Sequence, residues 1–208
     1  EAKSQGLVQK ANNFDVLFDR SDSMNAQYIA NSRLNLAKDT TSQMIQTIPS
    51  DLKLNSALRL FGSEKFGKDE TTWLIYGMTP FNKADYLKAM DNIGWRGIGR
   101  TPIGRTLAAA GDDIKGLSGN TAIILISDFE HVEGVDDIRA ESVIENVNKL
   151  KAEYGDRVCI YPIQVGKVDA RGQKLTEQIV AASKCGFAEN ADNLATPEKM
   201  AAYVQKVF

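Results

Sequence analysis

Three short stretches of the chain carry side chains able to do chemistry together. The first is Asp19-Arg20-Ser21-Asp22-Ser23, which follows the apolar run Val16-Leu17-Phe18. Extended backbone sends residues i, i+2 and i+4 to one side, so Asp19, Ser21 and Ser23 can converge on one point. The second is Gly97-Ile98-Gly99-Arg100-Thr101-Pro102, which offers a hydroxyl just ahead of a helical pattern. Pro102 biases Thr101 away from helical dihedrals and leaves its side chain available at the helix entry. The third is Ser127-Asp128, at the end of the wholly apolar run 122–126. Hydroxyls and carboxylates are hard oxygen donors, suited to a hard divalent cation: Mg2+ first, with Mn2+ or Ca2+ also compatible. Each stretch alone would read as a helix cap or a turn. Their occurrence at three matched element ends is what points to a metal.

Other chemistries find less support. Cys159 and Cys185 are the only cysteines and His131 the only histidine, too few soft ligands for a structural zinc site. The two cysteines are either free buried thiols or a disulfide, and a disulfide would require an oxidising compartment. His131 follows Asp128-Phe129-Glu130 in a loop-like stretch, and no serine sits in a G-x-S-x-G turn, so it reads as an exposed loop residue. A strand ending in Asp also opens phosphatases of the haloacid dehalogenase type, but their D-x-D motif meets Ser21 here. Gly97, Gly99 and Gly104 miss the G-x-G-x-x-G spacing of a dinucleotide loop. A divalent-metal-dependent hydrolase of phosphate esters is the alternative to a non-catalytic metal site.

The elements that must position these residues follow from periodicity. Apolar strand-like runs at 14–19, 53–61, 72–76, 121–127 and 158–165, with a short one at 186–189, alternate with helical patterns. The helical patterns cover 25–48, 82–93, 102–114, 138–154, 175–184 and 196–208. Such alternation predicts an α/β three-layer sandwich. Its central sheet is mostly parallel, with helices on both faces and one antiparallel edge strand from a hairpin turning near Gly62 and Gly67. Pro162 inside the 158–165 run requires a bulge or a free edge at that point. In this class ligands bind beyond the carboxyl ends of the strands, where the three stretches fall. With 208 residues the chain is long enough for one domain, read as 13–208 after an N-terminal extension at 1–12. Lys plus Arg number 25 and Asp plus Glu 27, a net charge of −2, which excludes a generally basic nucleic-acid binder. No apolar run approaches the ~20 residues needed to span a bilayer.

Three segments carry a family resemblance. Phe14-Asp15-Val16-Leu17-Phe18-Asp19-Arg20-Ser21-Asp22-Ser23-Met24, Arg100-Thr101-Pro102-Ile103-Gly104 and Ile123-Ile124-Leu125-Ile126-Ser127-Asp128 together resemble a von Willebrand factor type A domain. The resemblance implies a Rossmann-like fold and a metal-ion-dependent adhesion site at Asp19, Ser21, Ser23, Thr101 and Asp128. Ser21, Ser23 and in some states Thr101 would touch the cation, Asp19 and Asp128 more often through water. The last coordination position would be left for an Asp or Glu of a partner protein. Asp22 and Phe129 stand where many members have Gly, and with Arg100 and Glu130 they are the expected partner-binding rim. The segment 185–192 and the final helix are similar to type A domains of bacterial envelope proteins of the outer-membrane-protein-A family. That likeness implies a periplasmic or envelope location and attachment to a peptidoglycan-binding module outside this chain.

Overall fold

Strand β1 (Asn13–Asp19) is buried along its whole length, as a strand covered on both faces must be. In the computed structural model, which describes residues 8–62, 72–130 and 140–208, it sits inside a six-stranded sheet. Phe14, Val16 and Phe18 face one layer, with Leu34, Met44 and Ile45 of α1 (Arg33–Thr47) and Val204 of α6 (Pro197–Val207). Leu17 faces the other, with Leu107 of α3 (Ile103–Asp113), Val147 of α4 (Ala140–Tyr154) and Ile179 of α5 (Ala170–Ser183). The period-2 alternation of β1 thus sorts the core into two apolar halves.

The remaining sheet strands are β4 (Asn55–Phe61), β5 (Thr72–Pro80), β6 (Thr121–Ser127), β7 (Val158–Gln164) and β8 (Glu189–Asn190), in the order β5-β4-β1-β6-β7-β8. All pairings are parallel except β4 with β5, which forms the antiparallel edge. The chain leaves β1 toward β4 through α1 on one face, and leaves β6 toward β7 through α4 on the other. The carboxyl ends of β1 and β6 therefore flank the topological switch point, where the diverging loops open a crevice. Asp19 pairs with Phe61 and Phe18 with Ile126, so β1, β4 and β6 end level at that edge.

Some element limits differ from the periodic reading. The helix expected from residue 25 begins at Arg33, where Ser32 Oγ accepts the Asn35 N–H at 3.1 Å. Ahead of it lie a 3-10 turn (Asp22–Asn25) and a small hairpin of β2 (Gln27–Tyr28) and β3 (Asn31–Ser32). The apolar stripe becomes regular only at Leu34, and Ile29 at the hairpin tip is 86% exposed. Helix α2 (Lys83–Met90) tightens to a 3-10 turn before residue 94, α5 starts earlier than expected, and the last strand is only Glu189–Asn190. Pro162 is tolerated because β8 pairs only with Ile163 and Gln164, leaving the lower part of β7 an open edge. The expected turn at Gly67 lies outside the described residues.

Two covalent and ionic ties brace the layers. Arg59 of β4 donates from Nε and Nη2 to both carboxylate oxygens of Asp113, at 2.8 and 2.6 Å, fixing the C-terminal turn of α3 to the sheet. Asp15 of β1 is fully buried; burial, then the Asp113 carboxylate, push its pKa well above the usual carboxylate range. Cys159 of β7 and Cys185 beyond α5 are disulfide-bonded, with Cα atoms 5.1 Å apart. A closed loop of this size contributes about 3 kcal/mol on the chain-entropy account. Urea unfolding of the Cys159→Ser/Cys185→Ser protein should show a loss of that order. Reductant should do the same to the wild type and nothing further to the variant.

Candidate metal centre

At the carboxyl edge Asp19 is fully buried and uses both oxygens. Oδ1 accepts the Ser21 backbone N–H at 2.7 Å, and Oδ2 accepts the Ser127 hydroxyl at 2.6 Å. Ser127 Oγ in turn accepts the Phe129 N–H at 2.9 Å. The Ser21 and Ser23 hydroxyls lie 3.2 Å apart. Ser21 stands at the N-cap of the 3-10 turn, yet its side chain makes no capping bond. Thr101 is buried just before α3, whose cap position belongs to Pro102. Both hydroxyls are thus at helix entries without serving the helices, so the plain capping explanation for these residues does not hold.

The loop carrying Thr101 is strapped to the first loop. Ile98 N–H donates to Arg20 O at 2.8 Å and Asp22 N–H to Gly99 O at 2.9 Å, while Asn25 Oδ1 and Nδ2 bond Gly97 N–H and O. Ser21 sits between two glycines. A Cβ on Gly97 would lie 2.1 Å from Ser21 O, and one on Gly62, at φ +119°, 2.5 Å from Ser21 N. Only glycine permits approach this close.

Asp128 completes the edge, nearly buried at the tip of β6. Its Oδ1 accepts the Glu130 N–H at 3.0 Å, and its Oδ2 accepts from Arg33 Nη1 at 3.1 Å. The same Arg33 nitrogen also pairs with Glu130. Asp19 feels Asp128 across the crevice. Burial first, then the Asp128 charge, push its pKa up to about 7, against the opposing pull of its hydrogen bonds. Two acids and three hydroxyls therefore share one edge. Among the described residues no group of three or more His, Cys, Asp or Glu side chains is placed to hold a metal.

No family profile matches the chain. It is 28% identical over 155 residues to the uncharacterized protein YwmC of Bacillus subtilis, covering 70% of this chain and 66% of that one. The chain thus spans about two thirds of the length of that relative. Among solved structures, an aerotolerance-related membrane protein of Bacteroides fragilis superposes with a TM-score of 0.66 at 15% identity, over 94% of this chain and 96% of that one. A von Willebrand factor type A protein of Catenulispora acidiphila superposes at 0.61 and 19% identity, over 95% and 42%. The chain has a von Willebrand factor type A fold. The manganese-loaded TRAP protein of Plasmodium vivax is a further structural neighbour, at TM-score 0.60 and 17% identity over 94% of this chain and 72% of that one.

Within this type A fold the expected residues separate by position. Asp19, Ser21, Ser23 and Asp128 lie on the loops at the switch point, and the strapped loop brings Thr101 to the same edge. Of the expected rim, Asp22 and Arg100 are exposed and Glu130 is half-exposed. Phe129 is a correction. At 1% exposure it belongs to the core with Ile103, Leu107 and Val143, because a φ of +49° turns its ring inward beneath the loop. Arg33 was not anticipated; a hairpin separates it from the motif, and no local signal marks it as the partner of Asp128. His131 lies outside the described residues.

The Asp19 proton gives a pH test without metal. The unfolded chain releases it near the ordinary value of 3.8 and the folded chain near 7, so the native state holds the extra proton across that window. Stability of the domain in EDTA should fall as pH rises through it, and Asp19→Asn should flatten that slope. Urea midpoints at intervals from pH 4 to pH 8 would measure it.

Proposed function

We propose that this domain is a non-catalytic protein-binding module that holds a divalent cation at Asp19, Ser21, Ser23, Thr101 and Asp128 and, through it, a partner carboxylate. The observation that carries the reading is the buried pair Asp19 and Asp128 facing each other beside hydroxyls 3.2 Å apart. A cation relieves the repulsion between those acids and meets donors of matching hardness. Ser21, Ser23 and Thr101 would touch it and the two carboxylates would hold its water. When bound, the ion supplies electrophilic attraction for an external Asp or Glu, left strong because its direct protein ligands are neutral. The manganese-loaded state of one structural neighbour supports the ion class, with Mg2+ the preferred occupant. Arg33 matters to this function because it neutralises Asp128 and Glu130 at the rim, which lowers the repulsion an acidic partner would meet.

The same reading places the domain outside the cytoplasm, in the bacterial envelope, as a unit of 13–208 able to work beside a peptidoglycan-binding module on another segment. The disulfide supports an oxidising compartment. No helix among the described residues is long and apolar enough to cross a membrane.

Thermal melts with Mg2+ or Mn2+ against EDTA test the proposal. A ligand of the native state at a hundredfold excess over its dissociation constant stabilises by ~2.7 kcal/mol. The shift should vanish in Ser21→Ala/Ser23→Ala protein, which keeps the buried Asp19 network, and in Asp19→Ala. Equal shifts in wild type and variants would sink the site. Mg2+-dependent turnover of a generic phosphate ester, lost in the same variants, would replace the adhesion reading with hydrolysis.

A further inference from the structure

Beside the metal centre the segment 94–98 overhangs a groove of about 390 Å3 between α1 and α2, lined by Lys38, Ser42, Leu87, Met90, Asp91 and Trp95. Trp95 is 84% exposed at its mouth. Among the described residues the large exposed apolar side chains are Val8, Ile29, Trp95, Ile98 and Val168. All but Val8 stand on loops at the carboxyl edge, so the apolar exposure is gathered there.

Lys38 lines this groove and the Arg20 guanidinium lies against its Gly94, and neither forms an ion pair among the described residues. Lys38 Nζ donates to Gly94 O, and Arg20 Nε donates to Arg96 O at 3.1 Å, so both are held by carbonyls of one loop. The two cations repel: burial and then the Arg20 charge lower the Lys38 pKa, with only partial relief from Asp39. Asp91 lines the groove but does not reach either cation. Half-buried charges without an ion-pair partner, on a groove that an exposed indole also lines, make a receptor for a carboxylate next to an apolar side chain.

We propose that this groove is a second contact for a protein partner: it takes an acidic side chain on Lys38 and Arg20 while Trp95 covers a neighbouring apolar residue. The inference rests on the reading that this edge meets a protein, but not on the metal. Ile98 N–H bonds Arg20 O, so the groove and the metal centre are continuous across one loop. A partner strand could therefore engage both at once. The cations are half-buried and tied to backbone carbonyls of the loop that carries Trp95, which suits an inserted peptide side chain better than a planar lipid headgroup.

The test selects a phage-displayed random heptapeptide library on the whole domain in EDTA, with Trp95→Ala protein as counter-selector. Enriched peptides should carry Asp or Glu adjacent to Phe, Leu or another large apolar residue. Their affinity should fall about tenfold or more in Trp95→Ala and about threefold in Lys38→Gln, with melting temperatures unchanged. Enrichment of peptides without an acid, or binding indifferent to Trp95, would overturn the proposal. So would failure to enrich any peptide that Trp95→Ala loses. Trp95-dependent binding to phosphatidylglycerol vesicles in place of peptides would reassign the surface to a membrane. Repeating the selection in Mg2+ with wild-type and Ser21→Ala/Ser23→Ala protein separates the two sites: a wild type that gains nothing from Mg2+, or a gain that the variant keeps, would fail the metal reading and leave the groove standing.

Discussion

The carboxylate of Asp19 is the hinge on which the carboxyl edge depends. It is wholly removed from water, so both oxygens require partners, and they find them in two different elements. One comes from its own loop, the Ser21 amide; the other is the Ser127 hydroxyl at the end of β6. A single acid thus ties the two strands that border the switch point. Because β1 and β6 run parallel with Phe18 opposite Ile126, the register brings Ser127 beside Asp19 and Asp128 one residue further along. The electrostatic tension of the site follows from that register. Sliding one strand by one residue would part Asp19 from the Ser127 hydroxyl.

Around this tie the backbone is drawn unusually close. Gly62 and Gly97 allow the end of β4 and the Thr101 loop to press on Ser21 from two sides. Four hydrogen bonds from residues 97–99 to residues 20–25 then hold the loops as one body. The Ser21 backbone is therefore held in place by packing from both sides. Arg33 adds the charge balance: its guanidinium offsets Asp128 and Glu130, leaving Asp19 as the acid whose ionisation is held back.

The far side of the sheet supports the same edge from below. Arg59 grips Asp113 at the C-terminal turn of α3, and buried Asp15 lies against the same carboxylate. Helix α3 begins two residues after Thr101, so anchoring its last turn limits where its first can move. Stability deep in the core and geometry at the surface are coupled through one rigid helix.

The alternation of buried strands and amphipathic helices, the antiparallel edge and the three donor-bearing stretches all follow from the chain itself, because periodicity and residue type are local properties. So does the placement of Asp19, Ser21 and Ser23 on one loop, which is a matter of spacing. The hairpin at residues 27–32 escaped because its strands are two residues long, too short to show a period. Phe129 was misplaced for a related reason: whether a loop aromatic lies on the rim or in the core depends on one backbone dihedral. Arg33, the Ser127 hydroxyl and the buried Asp15–Asp113–Arg59 contact gain their roles only from partners distant in sequence. Composition can supply such charges, but only the folded sheet decides which of them meet, because removal from water makes each buried charge dependent on the neighbour it is given.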